Sequence, residues 1–387
     1  MLTRSTLQIV CSLVCLVLLS ACAQNTVSKY HGRSAIEMHQ ELLRGGSLFP
    51  VDEPLPELEP ADLLAVNDDM RAFLDKHIPS RATSDEGKAK AILNGLLDDG
   101  LRLHYNHLKT YTAEETFYAR EGNCLSFTNL FMALAREAGL IVMYQEVEVP
   151  PAWSAVGDIH YFSLHINVLL DTYYKQQVID FDTQVESFSW RTRVVGDGTA
   201  ASQYYNNMAV HYMTEGDLQT AFLHARKAID LRPNTGYFWA NMGTILKRAG
   251  EEGLAEESYL VAIDMSGEPA AVSNLARLYR KQGRSELADQ YAVMAEGYRM
   301  ENPYYLYELA EVAYQEGEYQ RTVELMQRAA KKRKDEHEFH HLQGMAWAQL
   351  GESQKAARSF GKAAKLVSEP ELASLYEQKL HLLAKRD

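Results

Sequence analysis

Cysteine is scarce in this chain: four among 387 residues, at Cys11, Cys15, Cys22 and Cys124. Three of them crowd the first 22 positions, so Cys124 stands as the only thiol of the body of the protein. Positive charge is also short. Lys and Arg number 39 against 52 Asp and Glu, for a formal net charge of −13. That balance argues against nucleic acid as a partner, because phosphate binding needs a basic surface. The densest basic run, Lys331 to Lys334, is followed at once by Asp335 and Glu336. It reads as a helix end, where cations suit the negative end of the dipole. Long apolar runs are missing as well. Leu7 to Leu19 is 13 residues, too short to span a bilayer, and no later segment is a better candidate. No tryptophan precedes Cys124. What is present is ample apolar material: 46% of residues are hydrophobic, enough for about two or three domains with cores of their own.

The first 21 residues have the form of a signal peptide: a short positive start at Met1 to Arg4, then the apolar core. Leu19-Ser20-Ala21-Cys22 resembles a bacterial lipobox. The resemblance implies removal of residues 1–21, lipidation of Cys22 and firm attachment to a membrane through its acyl chains. Ala23, not Asp, follows. By resemblance to Gram-negative lipoproteins, this implies an outer-membrane site facing the periplasm. In such a compartment an unpaired Cys124 is expected to be reactive.

Three regions are expected beyond the leader. Residues 22–60 hold the lipidated cysteine and a segment rich in Pro and acid, Phe49 to Pro60. It reads as an extended tether or as a segment laid over the next domain. Residues 61–198 read as a mixed α/β domain, and residues 202–387 as helical and repetitive. Gly216, Gly250, Gly283, Gly317 and Gly351 recur at intervals of 34, 33, 34 and 34. Seven places before each stands a small residue: Ala209, Gly243, Ala276, Ala310 and Gly344. Five places after come Ala221, Ala255, Ala288, Thr322 and Ala356, and seven further on Ala228, Ala262, Ala295, Ala329 and Ala363. With Trp239 and Pro233, this pattern resembles the tetratricopeptide repeat. The resemblance implies five helical hairpins, beginning near Ser202, Gly236, Pro269, Pro303 and His337, and a closing helix over Glu371 to Lys385. Such hairpins stack because none buries its apolar face alone. The solenoid is expected to bind a protein or peptide.

His337-Glu338-Phe339-His340-His341 fits H-E-x-x-H, a zinc-protease pattern. A third ligand in the longer form of that pattern would fall on Trp347, which cannot bind zinc. Gly344 is already explained as a repeat position. No metal site and no cofactor are expected.

Chemistry gathers instead at Cys124. Downstream, Phe127, Leu130, Phe131, Leu134 and Ala138 follow helical spacing, and Gly139 is a natural stop. Asn123 or Gly122 would cap this helix, with Cys124 in its first turn. Unsatisfied N–H groups and the positive dipole end there favour a thiolate. Strands are expected over Ile141–Val149, Tyr161–Leu170 and Gln176–Phe181. They bring a histidine, His165, and an acid, Asp180, in the order a thiol relay needs: a base to take the proton, and an acid to orient the imidazole. His160 is the rival base and Asp182 the rival acid.

Gly122-Asn123-Cys124 before an apolar helix ending Arg136-Glu137-Ala138-Gly139-Leu140 resembles the transglutaminase-like superfamily, which is related to papain. So do the His165 strand, the Val178-Ile179-Asp180 strand and the short helix expected at Thr112 to Thr116. The resemblance covers residues 85 to 190. It implies an α+β papain/transglutaminase-like domain followed by the all-α repeat solenoid, with Cys124, His165 and Asp180 as catalytic residues and no metal. Ile166-Asn167-Val168 departs from the aromatic or acidic neighbours common in the family. Without an upstream tryptophan, the backbone N–H of Cys124 is left to stabilise an oxyanion.

Two functions follow as expectations. One is an envelope enzyme acting on amide or ester bonds through a thioester, by hydrolysis or acyl transfer, with the repeats recruiting a protein. The other is an inactive scaffold for protein–protein interactions. Peptidoglycan stem peptides are a third, weaker substrate class, supported by compartment alone.

Overall fold

The structure, a computed structural model, describes residues 39–79, 82, 84–98, 100–147, 154–156, 159–161, 165–172, 174–181, 192–367, 373–376 and 379. The leader, Cys22 and the Asp182 alternative lie outside them. The described residues form two compact units. The first runs to 288 without the strands at 154–156 and 159–161; those strands and residues from 289 onward make the second.

The first unit begins with the thiol domain. Helix α1 (Asp68–His77) is capped by Asn67, whose side chain accepts from the Met70 N–H, and α2 (Asp85–Leu97) by Ser84. Each carries two acids in its first turn, opposite in sign to the helix N-terminus. Strand β1 (His104–Tyr105) pairs in parallel with β2 (Glu121–Gly122). Between them lies α3 (Ala113–Ala119), closed by a capping box of Thr112 and Glu115. Next comes α4 (Cys124–Glu137), which is capped by Asn123. Leu130, Phe131, Met132 and Leu134 on it are fully buried. At about 1.5–3 kcal/mol for each large apolar side chain, their burial outweighs the modest helix propensity of Phe and Thr. The chain turns at Gly139, where φ is +79°.

Four antiparallel strands follow in the order β7-β6-β3-β8: β3 (Val142–Val147), β6 (His165–Asp171), β7 (Gln176–Ile179) and β8 (Thr192–Val195). The register pairs Val147 with His165 and Gln145 with Asn167. Helix α4 is fastened to this sheet by side chains. Thr128 Oγ1 donates to the Ile166 carbonyl at 3.2 Å, and the Tyr144 hydroxyl donates to Asn129 Oδ1 at 2.8 Å. β8 was not anticipated: its residues are mostly exposed, so an edge strand left little apolar alternation to read.

The repeats continue directly from this sheet. Helix α5 (Asp197–Glu215) starts five residues before the expected Ser202. Arg136 of α4 makes two bonds to Asp197, at 2.6 and 2.9 Å, and Glu146 of β3 accepts from Gln203 at 2.6 Å. Both contacts tie α5 to the thiol domain. It pairs with α6 (Leu218–Leu231) as a hairpin; α7 (Gly236–Arg248) with α8 (Glu252–Ser266) form the next. Then come α9 (Pro269–Lys281) and α10 (Ser285–Glu301), which crosses from the first unit into the second. The recurrent glycines 216, 250, 283, 317 and 351 all sit at positive φ, between 72° and 86°. There they end the first helix of each hairpin in the left-handed conformation that a side chain would strain.

Residues 39–49 also belong to the first unit. They form two 3-10 turns, Leu42–Arg44 and Gly46–Leu48, lying against the repeat helices. From there the Pro-rich stretch runs on without regular structure to Ala61, whose N–H donates to the Tyr205 hydroxyl at 2.9 Å.

In the second unit β4 (Ser154–Val156) pairs antiparallel with β5 (Ile159–Tyr161). The remaining hairpins are α11 (Pro303–Gln315) with α12 (Tyr319–Lys332), and α13 (His337–Gln349) with α14 (Ser353–Leu366). Leu306, Met326 and Phe339 centre a core there. Lys331 and Lys332 fall in the last turn of α12, where the dipole favours cations. Of the expected closing helix, residues 373–376 and 379 are described, and they are helical. Among the described residues no helix is long and apolar enough to cross a membrane.

Candidate functional site

The loop before Cys124 is held on both sides. The Asn123 N–H donates to the Lys109 carbonyl at 2.9 Å, and Asn123 Nδ2 donates to Thr110 Oγ1 at 2.7 Å. The Asn123 side-chain oxygen accepts from the Ser126 N–H and hydroxyl, both at 3.1 Å. Ser126 Oγ in turn accepts from the Tyr111 N–H at 2.8 Å. Gly122 is a requirement of this packing. A Cβ there would lie 2.5 Å from the Ser126 Cβ. The Gly-Asn-Cys sequence thus sets the start of α4 against residues 109–111 and puts Cys124 in its first turn. Cys124 itself is half-buried.

His165 opens β6 and is 5% exposed. Its Nε2 lies 2.7 Å from both oxygens of Asp180, which directly follows β7. An N–H facing a carboxylate carries the proton, so Nε2–H donates to Asp180 and Nδ1 is left for the other partner. On its other side the ring has Cys124 as a neighbour, near enough for the thiol to act on its charge. The structure therefore brings together the three residues that the sequence singles out, each from a different element. The His160 side chain and Asp182 lie outside the described residues.

Three forces act on the imidazole. Burial pulls its pKa down. The Asp180 carboxylate and the Cys124 side chain outweigh burial and push it up to about 10. The charged imidazolium is thus the favoured form at neutral pH, with the Asp180 carboxylate as its counter-ion.

Asn167 completes the site, and the sequence reading gave it no role. It lies two residues along β6 from His165, on the same face of the strand. Its Nδ2 donates to Asp180 Oδ2 at 2.9 Å. Spacing of two on a strand was the signal available. Phe181 was also missed: its ring meets Phe127 and Phe131 of α4 at 5.9 and 6.0 Å between centroids. It braces the end of β7 against the thiol helix.

The H-E-x-x-H histidines are engaged elsewhere. His337 Nδ1 lies 2.9 Å from the Tyr376 hydroxyl. His341 stacks on the Tyr376 ring at 4.7 Å and is pushed down to about 4, chiefly by burial. Among the described residues no group of three or more His, Cys, Asp or Glu is placed to hold a metal ion.

Residues 73–155 match the family model of the transglutaminase-like superfamily. That span contains Cys124 and stops before His165 and Asp180. No curated protein matches the chain. Among solved structures, it is similar to pilF of Pseudomonas aeruginosa, at 16% identity and a TM-score of 0.26, over 49% of this chain and 91% of that one. It is also similar to YrrB, described as a TPR protein with an unusual peptide-binding site: 16% identity, TM-score 0.24, 46% of this chain and 92% of that one. A third is MamA from Desulfovibrio magneticus RS-1, at 17% identity and TM-score 0.25, over 44% and 96%. At scores this low, the repeat architecture rests on the chain's own period and hairpins.

Proposed function

We propose that this protein is a thiol-dependent acyl-transfer enzyme or hydrolase, with a repeat solenoid that recruits a protein substrate or partner. The observation that carries the reading is the relay itself: thiol at a helix N-terminus, buried imidazole, carboxylate at 2.7 Å. Cys124 Sγ attacks the carbonyl carbon of an amide or ester. The C–N or C–O bond then breaks, His165 gives its proton to the leaving group, and a thioester remains. Water or an amine next attacks the thioester carbon. His165 takes the proton of that nucleophile, and the thiolate departs. Asp180 keeps the ring oriented through both steps and supports its charge. The backbone N–H of Cys124 serves to stabilise the oxyanion.

The sequence adds the setting: a lipid on Cys22 holding the chain in the bacterial envelope, outer membrane on the periplasmic side. The repeats support a second reading, a scaffold whose thiol domain is inert, because stacked helical hairpins form extended surfaces suited to binding a protein partner.

One experiment separates them. The chain starting after Cys22 is incubated with p-nitrophenyl acetate and followed by intact mass. The enzyme reading expects a burst of p-nitrophenol with one acetyl on Cys124, absent in Cys124→Ala and slowed at least tenfold in His165→Ala. An added amine that becomes acetylated identifies transfer; free acetate identifies hydrolysis. No acyl-Cys124 at any pH would leave the scaffold.

A further inference from the structure

The segment His39–Phe49 is seated on the solenoid in the manner of a bound peptide. Leu42 and Leu43 are 0% and 4% exposed. The Phe49 ring meets Phe222 of α6 at 5.6 Å, and His39 stands edge-on to Trp239 of α7 at 5.6 Å. Polar contacts fix the register. The Ser47 N–H donates to Glu251 Oε1 at 2.8 Å, Gln219 Nε2 donates to the Leu48 carbonyl at 2.7 Å, and His39 Nδ1 pairs with Glu257 Oε1 at 2.7 Å. Two glycines allow the close approach. A Cβ on Gly45 would lie 3.0 Å from the Phe222 ring, and one on Gly46 would lie 2.6 Å from the Glu251 carboxyl carbon. Both have positive φ. The contacts come from α6, α7 and α8 together with Glu251 just ahead of α8, so the seat spans two successive hairpins.

We infer that the first two repeats form a docking surface for short peptides, and that its resident ligand is the chain's own segment 39–49. The chemistry it selects is legible in that occupant. It takes two adjacent leucines, then two glycines against Phe222 and Glu251, with a hydrogen-bond donor or cation for Glu257. The resident is short and held by few apolar anchors. Its occupancy depends on being joined to the solenoid through the Pro-rich stretch, which raises its effective concentration. A partner segment of the same chemistry binds only when the resident leaves. The surface is independent of the thiol: it fails or stands without regard to the chemistry at Cys124.

The test uses the chain starting after Cys22 and a fluorescent peptide of residues 38–50. Gly46→Val removes the close approach on the segment and leaves the solenoid's side of the seat intact. Hydrogen exchange at the Leu42 to Leu48 amides should quicken at least tenfold in this variant, with helix content unchanged by circular dichroism. Anisotropy should show saturable, one-to-one peptide binding to the variant, at least tenfold tighter than to the unaltered chain. Adding Glu251→Ala to Gly46→Val should weaken that binding. Unchanged exchange in Gly46→Val, no saturable binding to a released variant, or equal binding to both chains would overturn the assignment.

Discussion

Asn167 Nδ2 donates to Asp180 Oδ2 at 2.9 Å, while the same carboxylate lies 2.7 Å from His165 Nε2. One buried amide thus fixes the carboxylate that fixes the imidazole. A hydrogen bond to a charged group is worth about 1.5–3 kcal/mol. Asn167→Leu should therefore slow acylation of Cys124 by roughly 10- to 100-fold and lower the pKa of His165. Asn167→Ser, which keeps a short donor, should recover part of both. Acylation rates across pH check this, since a purely structural loss would leave the profile's shape unchanged.

His165 gives a second expectation, with a definite sign. Its folded pKa is raised from 6.5 to about 10. The stability it contributes is then fully present below about 6.5 and lost as pH rises through about 10. The difference in unfolding free energy between the unaltered chain and Asp180→Asn should be largest near pH 6 and shrink towards pH 10. Urea unfolding at several pH values measures it.

A carboxylate in the repeats behaves in a related way. Glu268 occupies the N-cap position of α9 without a side-chain cap bond, is buried, and has an oxygen with no hydrogen-bond partner. Burial pushes it up to about 7. An acid whose folded pKa is raised contributes stability below its unfolded value, and that contribution is lost as pH rises through about 7. Glu268→Gln should therefore melt higher than the unaltered chain at pH 8 and nearly the same at pH 4.5.

Gly344 faces the Phe360 ring, and a Cβ there would lie 2.8 Å from it. Gly243 stands likewise to Tyr259, at 2.7 Å. In both hairpins the aromatic ring lies sixteen residues after the glycine. Where that later residue is Ala225 or Met326, the first position is Ala209 or Ala310. Gly344→Ala should cost about 1–3 kcal/mol by overpacking, and a second change, Phe360→Leu, should recover much of it. Denaturant melts of the single and double variants decide.

Helical elements were the most legible. The five glycines at a near-constant interval mark five turns because only the left-handed conformation closes those hairpins without strain. Asn123 and the spacing of Phe127, Leu130, Phe131 and Leu134 give α4 because capping and helical periodicity are local properties. Cys124, His165 and Asp180 could be named because their chemical types are few and their order is informative. Asn167 and Phe181 escaped because their roles exist only once β6, β7 and α4 are packed. The seat of residues 39–49 escaped for the same reason: it joins positions about 170 to 220 apart, and no local pattern encodes such a contact. The zinc-like histidines fall in a repeat helix, where His337 and His341 both meet Tyr376.

The most direct measurement is the rate of Cys124 alkylation against pH in the chain starting after Cys22, where it is the single thiol. If His165 serves the thiol as the relay proposes, Cys124 should stay reactive at pH 6, within a fewfold of its rate at pH 8. His165→Ala should abolish that low-pH reactivity and leave the ordinary rise of a free thiol near pH ~8.5. A thiol whose reactivity in the unaltered chain already follows that ordinary rise, indifferent to His165, would contradict the relay.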